Sequence, residues 1–109
     1  MFNLHDPNGP ELCGVVLGDG TIKSVPNIHP DPHDNFAMDA TVLDDPEVVA
    51  TWHTHPRSGA NLTVSDYLSF MSYPDLRHYI ISASEIWCYR MDNDILVADE
   101  HHNFTRLSK

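Results

Sequence analysis

The sequence predicts an α+β domain, with a mixed, mostly antiparallel β-sheet and one main helix. Three observations predict it. Runs rich in Val, Ile, Trp and Tyr recur between clusters of Pro, Gly, Asn and Asp, as short strands between turns do. One stretch alone, beginning at Thr63, joins a helix start signal to an amphipathic pattern. The strands fall before and after that helix instead of alternating with helices, which is the α+β order. At 109 residues, 41% of them hydrophobic, the chain is expected to form a single domain over 1–109. That length supports a core without disulfides.

The elements follow in order. After a turn-rich lead-in, Glu11 to Leu17 reads as a strand, and Asp19-Gly20 as the turn of a hairpin. Thr21 to Ile28 is the return strand, with Pro26 marking an edge. Residues 29–35 carry two prolines and read as a loop. Phe36 to Met38 is expected to be a short strand, and Asp39 to cap a brief helical turn through Leu43. Val48 to His55 is the best central strand, β-branched and aromatic, and Pro56 ends it. Residues 57–62 form a loop around Gly59. Thr63 is a natural N-cap with Asp66 three residues on, and Tyr67, Leu68, Phe70 and Met71 supply an apolar face before Pro74. Arg77 to Ala83, Glu85 to Met91 and Ile95 to Ala98 read as three further strands, followed by a polar tail.

Composition excludes several functions. Formal net charge is −10 and the six basic residues form no stripe, which argues against binding nucleic acid or an anionic membrane. No apolar run approaches the roughly 20 residues of a transmembrane helix. The start, Met1 to Asp6, lacks the basic and apolar regions of a signal peptide, so a cytoplasmic or virion-associated protein is expected. Cys13 and Cys88 lie in apolar runs and are expected to be buried free thiols, a disulfide being the alternative.

The chemistry concentrates at Trp52-His53-Thr54-His55-Pro56 and at Thr63 and Asp66. Strand side chains alternate, so His53 and His55 share a face while Thr54 points away. Trp52 is expected to pack in the core facing away from the histidines. Asp66, at the start of the helix, supplies a third ligand, and three protein ligands leave a fourth position open, as in catalytic zinc sites. Nitrogen and oxygen donors suit zinc and admit manganese, iron or cobalt. Amide hydrolysis by activated water then needs a carboxylate to move a proton, and Glu11, at the mouth of the first strand, is the candidate. It also needs a donor to the oxyanion, and the Thr63 hydroxyl is the candidate. His29 and His33 have ligand-like spacing but sit in a proline-broken loop. His101-His102 reads as tail surface, and Arg57, Ser58 and Asn61 lie on the loop beside the site.

His53-Thr54-His55-Pro56, six residues, then Thr63-Val64-Ser65-Asp66 resembles the His-x-His-Pro-x6-Ser-x-x-Asp signature of the JAMM metallopeptidases. Pro10-Glu11-Leu12-Cys13-Gly14 is similar to the glutamate strand of the prokaryotic and phage branch, found in phage tail assembly proteins. Asn27 and Phe36-Ala37-Met38-Asp39 also resemble the segment between the two motifs. The resemblance covers about residues 10–98. It implies a JAMM/MPN fold of cytidine-deaminase-like architecture. It further implies a zinc ion on His53, His55 and Asp66, Glu11 as general base, and Thr63 in the role of the family's serine. Thr63 keeps the hydroxyl and adds a methyl group. The implied activity is a zinc-dependent peptidase or isopeptidase acting on a peptide or isopeptide substrate, in phage tail assembly or cell-wall entry. The chain lacks the length for the insertions with which ubiquitin-cleaving relatives grip ubiquitin. Relatives carry a helix ahead of the glutamate strand, where this chain has ten residues. The resemblance therefore implies a sheet face for a second copy or a tail-protein partner. The alternatives are a non-catalytic scaffold that keeps the metal as a staple, and a hydrolase of small conjugates.

Overall fold

The computed structural model describes residues 8–31, 35–56, 63–83, 85–93 and 95–103. Eight elements follow in chain order: β1 (Cys13–Leu17), β2 (Ile22–Val25), α1 (Ala40–Leu43), β3 (Val48–Thr54), α2 (Val64–Ser72), β4 (Arg77–Ile81), β5 (Glu85–Asp92) and β6 (Ile95–Asn103). The strands form one six-stranded sheet in the order β2-β1-β3-β4-β5-β6. Every neighbouring pair is antiparallel except β3 and β4. A parallel pair needs a crossover, and α2 lies in the connection that supplies it. The α+β class expected from the sequence is the class observed.

The turns have local causes. Gly20 takes φ 91°, a conformation open to glycine, and the Asp19 carboxylate accepts the Thr21 amide at 2.9 Å. Asn93 takes φ 49° between β5 and β6, where asparagine tolerates the left-handed region. Asp39 caps α1 by accepting from the Thr41 amide. Thr63 and Asp66 form a complete capping box at the start of α2.

Register settles which side chains share a face. Cys13 pairs with His53, His53 with Ile80, and Ile80 with Trp87, so these four line one face. There Phe70 from α2 packs on Ile80, with Trp87, Tyr89 and Leu96 half-buried around them. On the opposite face Trp52, Ile81 and Ile86 form a second cluster, with Val16 and Tyr79 against it. Trp52 is fully buried there, facing away from the histidines as expected. Cys13 and Cys88 are both buried thiols that are not joined in a disulfide.

Several expected boundaries and faces are corrected. Phe36 to Met38 is irregular chain, not a strand. Its one ladder-like bond runs from the Ile28 amide to the Ala37 carbonyl. The Ala37 amide goes instead to the Asn27 side chain, which ends the pairing. β6 runs to Asn103, so His101 and His102 belong by backbone to a strand paired with β5 and not to a tail. The apolar face of α2 is narrower than the pattern suggests, since Phe70 is buried while Leu68 and Met71 are 59% and 43% exposed. Residues 57–62 and His33 lie outside the described residues. Among the described residues, no helix is long and apolar enough to cross a membrane.

Candidate metal centre

The site forms where the end of β3, the start of α2 and the approach to β1 meet. His53 is the sixth residue of β3 and His55 follows its last residue. The His55 amide still donates to the Ile81 carbonyl at 2.8 Å, so the strand geometry continues past the assigned end. This keeps the two imidazoles on one face, with their Nε2 atoms 3.1 Å apart. Asp66 meets both. Its Oδ1 lies 3.0 Å from His53 Nε2 and its Oδ2 lies 3.2 Å from His55 Nε2. The capping box fixes that carboxylate: the Thr63 amide donates to Asp66 Oδ2, and the Asp66 amide donates to Thr63 Oγ1. One aspartate therefore both caps the helix and faces the histidine pair.

Glu11 completes the group. Glu11, His53 and His55 each offer a ligand atom, and these atoms all lie within 4.8 Å of one another. All four side chains are buried, with Glu11 7% exposed and His53 wholly enclosed. The described chain thus contains a buried glutamate–histidine group able to hold a metal ion. Thr54, between the histidines, fixes the Glu11 end of the site from the opposite face. Its Oγ1 accepts from the Leu12 amide at 2.9 Å, and its own amide donates to the Leu12 carbonyl at 2.9 Å.

The electrostatics favour the ligating forms. Burial pushes the His53 pKa down, partly opposed by its bond to Asp66, which disfavours the charged imidazolium. Burial works against charge on Asp66, yet bonds from His53, His55 and the Thr63 amide hold its carboxyl well below the usual range. Cys13, two residues beyond Glu11, is pushed up to about 11 by burial and then by the Glu11 charge. It stays a protonated thiol and is no thiolate ligand.

The residues fit a small divalent cation. Four donors around an ion with bonds of 2.0–2.1 Å stand about 3.3–3.4 Å apart in a tetrahedron. The two Nε2 atoms stand 3.1 Å apart, slightly inside that spacing, and each lies 3.0 to 3.2 Å from a different oxygen of Asp66. One feature departs from common metal sites. His53 Nδ1 is buried with no hydrogen-bond partner among the described residues, whereas ligating imidazoles usually donate their second N–H. Its ring instead stacks on Phe36, with centroids 4.1 Å apart and planes 18° from parallel. An unsatisfied buried group of this kind costs about 1–3 kcal/mol, a penalty that functional sites commonly carry.

The structure also adds residues the sequence pattern did not reveal. His78 lies beneath the site on β4, stacked on Phe70 at 4.2 Å. Its Nε2 lies 3.1 Å from the Tyr73 carbonyl, which can only accept, so Nε2 carries the proton. Nδ1 then accepts from the Thr51 hydroxyl at 2.7 Å. Burial lowers the His78 pKa to about 4 from an ordinary 6.5, against the favourable Tyr73 bond. Between those values the unfolded chain binds a proton that the folded chain does not. The stability contributed by neutral His78 is therefore full above pH 6.5 and lost as pH falls toward 4, by about 1.4 kcal/mol per unit. Denaturant unfolding of His78→Gln across this window is expected to show a slope smaller by one proton than that of the parent protein. Equal slopes would contradict the assignment.

The predicted residues are thus brought together at His53, His55, Asp66 and Glu11. Thr63 caps Asp66 through its hydroxyl oxygen, which leaves the hydroxyl proton to donate elsewhere. His29 stays outside the group, its Nδ1 accepting the Asp31 amide. Arg57, Ser58 and Asn61 lie outside the described residues. The sequence matches no protein-family profile and no curated protein.

Proposed function

We propose that this protein is a zinc-dependent peptidase or isopeptidase of the JAMM type, cleaving an amide bond with activated water. The observation that carries this reading is the convergence of His53, His55 and the Asp66 carboxylate, with contacts of 3.0 to 3.2 Å, and a buried glutamate beside the histidines. The motif resemblance supports it independently. His53, His55 and Asp66 hold the ion, and their nitrogen and oxygen donor set suits zinc. When bound, zinc supplies Lewis acidity that polarises a carbonyl and renders water nucleophilic near neutral pH.

The chain's own groups supply the rest. Glu11 takes a proton from the attacking water and passes it to the leaving amine. Burial of its side chain against the histidine pair keeps that carboxylate close to the reacting atoms. Thr63 donates its hydroxyl proton toward the carbonyl oxygen as negative charge grows there. Asp66, its pKa held down by the bonds from His53, His55 and the Thr63 amide, presents an ionised carboxylate beside the histidine pair. The substrate class is a peptide or isopeptide, and the setting the resemblance supports is phage tail assembly or cell-wall entry.

Zinc binding tests the ligand set. The parent protein is expected to bind about one zinc per chain in competition with a chelating dye. Asp66→Asn, which keeps shape and removes the anionic ligand, is expected to weaken binding more than about a hundredfold, beyond what loss of an outer partner causes. Unchanged affinity in Asp66→Asn would remove Asp66 from the site. Retained activity in a zinc-binding protein that lacks the Glu11 carboxylate would favour a different general base.

A further inference from the structure

One side-chain amide joins the three segments that surround the histidine pair. Asn27 lies two residues beyond the end of β2. Its Nδ2 donates to the Glu11 carbonyl at 2.8 Å and to the Asn35 carbonyl at 2.9 Å. Its Oδ1 accepts from the His29 amide at 3.1 Å and the Ala37 amide at 3.0 Å. These four bonds use both the donor and the acceptor side of the amide. The partners also fix its orientation, since carbonyls cannot donate and backbone N–H groups cannot accept.

The two ends of this amide lead to different parts of the site. Through Nδ2 it holds the backbone of Glu11, whose carboxylate lies within ligand reach of both imidazoles. Through Oδ1 and Nδ2 it holds Ala37 and Asn35, the two neighbours of Phe36, whose ring covers His53. The Thr54 bonds to Leu12 restrain the same strand end from the other side. Without Asn27, the irregular segment carrying Phe36 keeps, among the described residues, the bond from Ile28 and the Asn35–Asp31 contacts.

We propose that Asn27 is the positioning residue of this site: its amide sets the Glu11 carboxylate and the Phe36 ring in register with His53 and His55. The catalytic consequence rests on the metallopeptidase reading, whereas the geometry does not. A displacement of about 1 Å at a reacting group lowers rates by about a hundredfold, so a fixed Glu11 backbone matters to proton transfer. The Phe36 ring covers one face of the His53 imidazole.

The full chain tests this, with and without zinc, through Asn27→Ala and Asn27→Asp. Asn27→Asp keeps the oxygen that accepts from His29 and Ala37 but loses both donor bonds. Asn27→Ala loses all four. Amide exchange at Ala37 and His29 is expected to accelerate about tenfold in Asn27→Ala, the equivalent of one lost hydrogen bond. In Asn27→Asp those two amides are expected to remain protected. The His53 ring protons, shielded by Phe36, are expected to shift toward unshielded positions in Asn27→Ala. Both variants are expected to lower kcat by about tenfold or more with KM changed far less, because proton transfer and not substrate binding is affected. Should Asn27→Ala fail to fold, Asn27→Asp carries the test through exchange and the kcat–KM split. Unchanged exchange and unchanged His53 signals, or loss of Ala37 protection in Asn27→Asp, would overturn the proposal. If the parent protein hydrolyses no amide substrate while exchange and His53 shifts follow this pattern, the positioning role stands and the peptidase reading falls.

Discussion

Glu11→Gln is expected to abolish most amide hydrolysis, by about 100- to 10,000-fold, while zinc stays bound. The substitution is nearly isosteric, so the buried side chain keeps its packing. The Glu11 carbonyl keeps its bond from Asn27, and Leu12 keeps both bonds to Thr54. What disappears is an ionisable oxygen able to accept a proton from water. The metal is expected to remain because His53, His55 and Asp66, which stand 3.0 to 3.2 Å from one another, are untouched by the substitution. The experiment also separates two roles open to Glu11, whose carboxylate lies within ligand reach of the histidines. A general base lost to glutamine leaves zinc affinity close to that of the parent. A ligand lost to glutamine lowers affinity together with activity. Parallel measurement of metal content and hydrolysis across the parent and Glu11→Gln therefore checks the assignment, and full activity in the variant would refute it.

Gly14→Ala is expected to cause the largest loss of stability of any single methyl addition in the sheet. Gly14 pairs with Trp52 across β1 and β3, and the Trp52 indole lies over it to donate to the Lys23 carbonyl at 3.3 Å. A Cβ on Gly14 would collide with that same Lys23 carbonyl oxygen. It would also sit 2.5 Å from Trp52 Nε1 and 2.6 Å from Cε2. The obstacles are backbone and a fully buried ring, so neither can turn aside. Overpacking of this kind costs about 1–3 kcal/mol or more, and here the upper end is expected because a buried indole must also lose its acceptor. A loss of about 3 kcal/mol in a domain of this size lowers Tm by about 12 °C or more. Thermal unfolding of Gly14→Ala measures it, and a change under about 3 °C would show that β2 yields easily. The consequence reaches the site, because Cys13, the neighbour of Gly14, is the register partner of His53.

Much of this arrangement was legible in the residues, and the division between what was and what was not has physical causes. Alternation along a strand is local, so His53 and His55 on one face and Trp52 on the other followed from sequence. The capping box is equally local, and both of its bonds are present. Hydrogen bonds between distant residues left no such trace. Thr54 reaches Leu12 across 42 residues, and Asn27 reaches Glu11 across 16. Trp52 and Gly14 fit each other only once β1 and β3 are paired, so the glycine looked like part of a motif and gave no hint of its steric role. The apolar run of α2 implied a broad buried face, but Phe70 is buried while Leu68 and Met71 are exposed. Phe36 to Met38 reads as a short strand in the sequence. The Asn27 side chain competes for the backbone amide that such a strand would need.

The measurement that bears most directly on the metal centre is an anomalous difference map from zinc-soaked crystals, collected above and below the zinc edge. The predicted result is a single strong peak about 2.0–2.1 Å from His53 Nε2, His55 Nε2 and an oxygen of Asp66. The Glu11 carboxylate is then expected beside the peak and outside bonding distance. A peak elsewhere, or crystals that take up no zinc with all four side chains in place, would contradict the account.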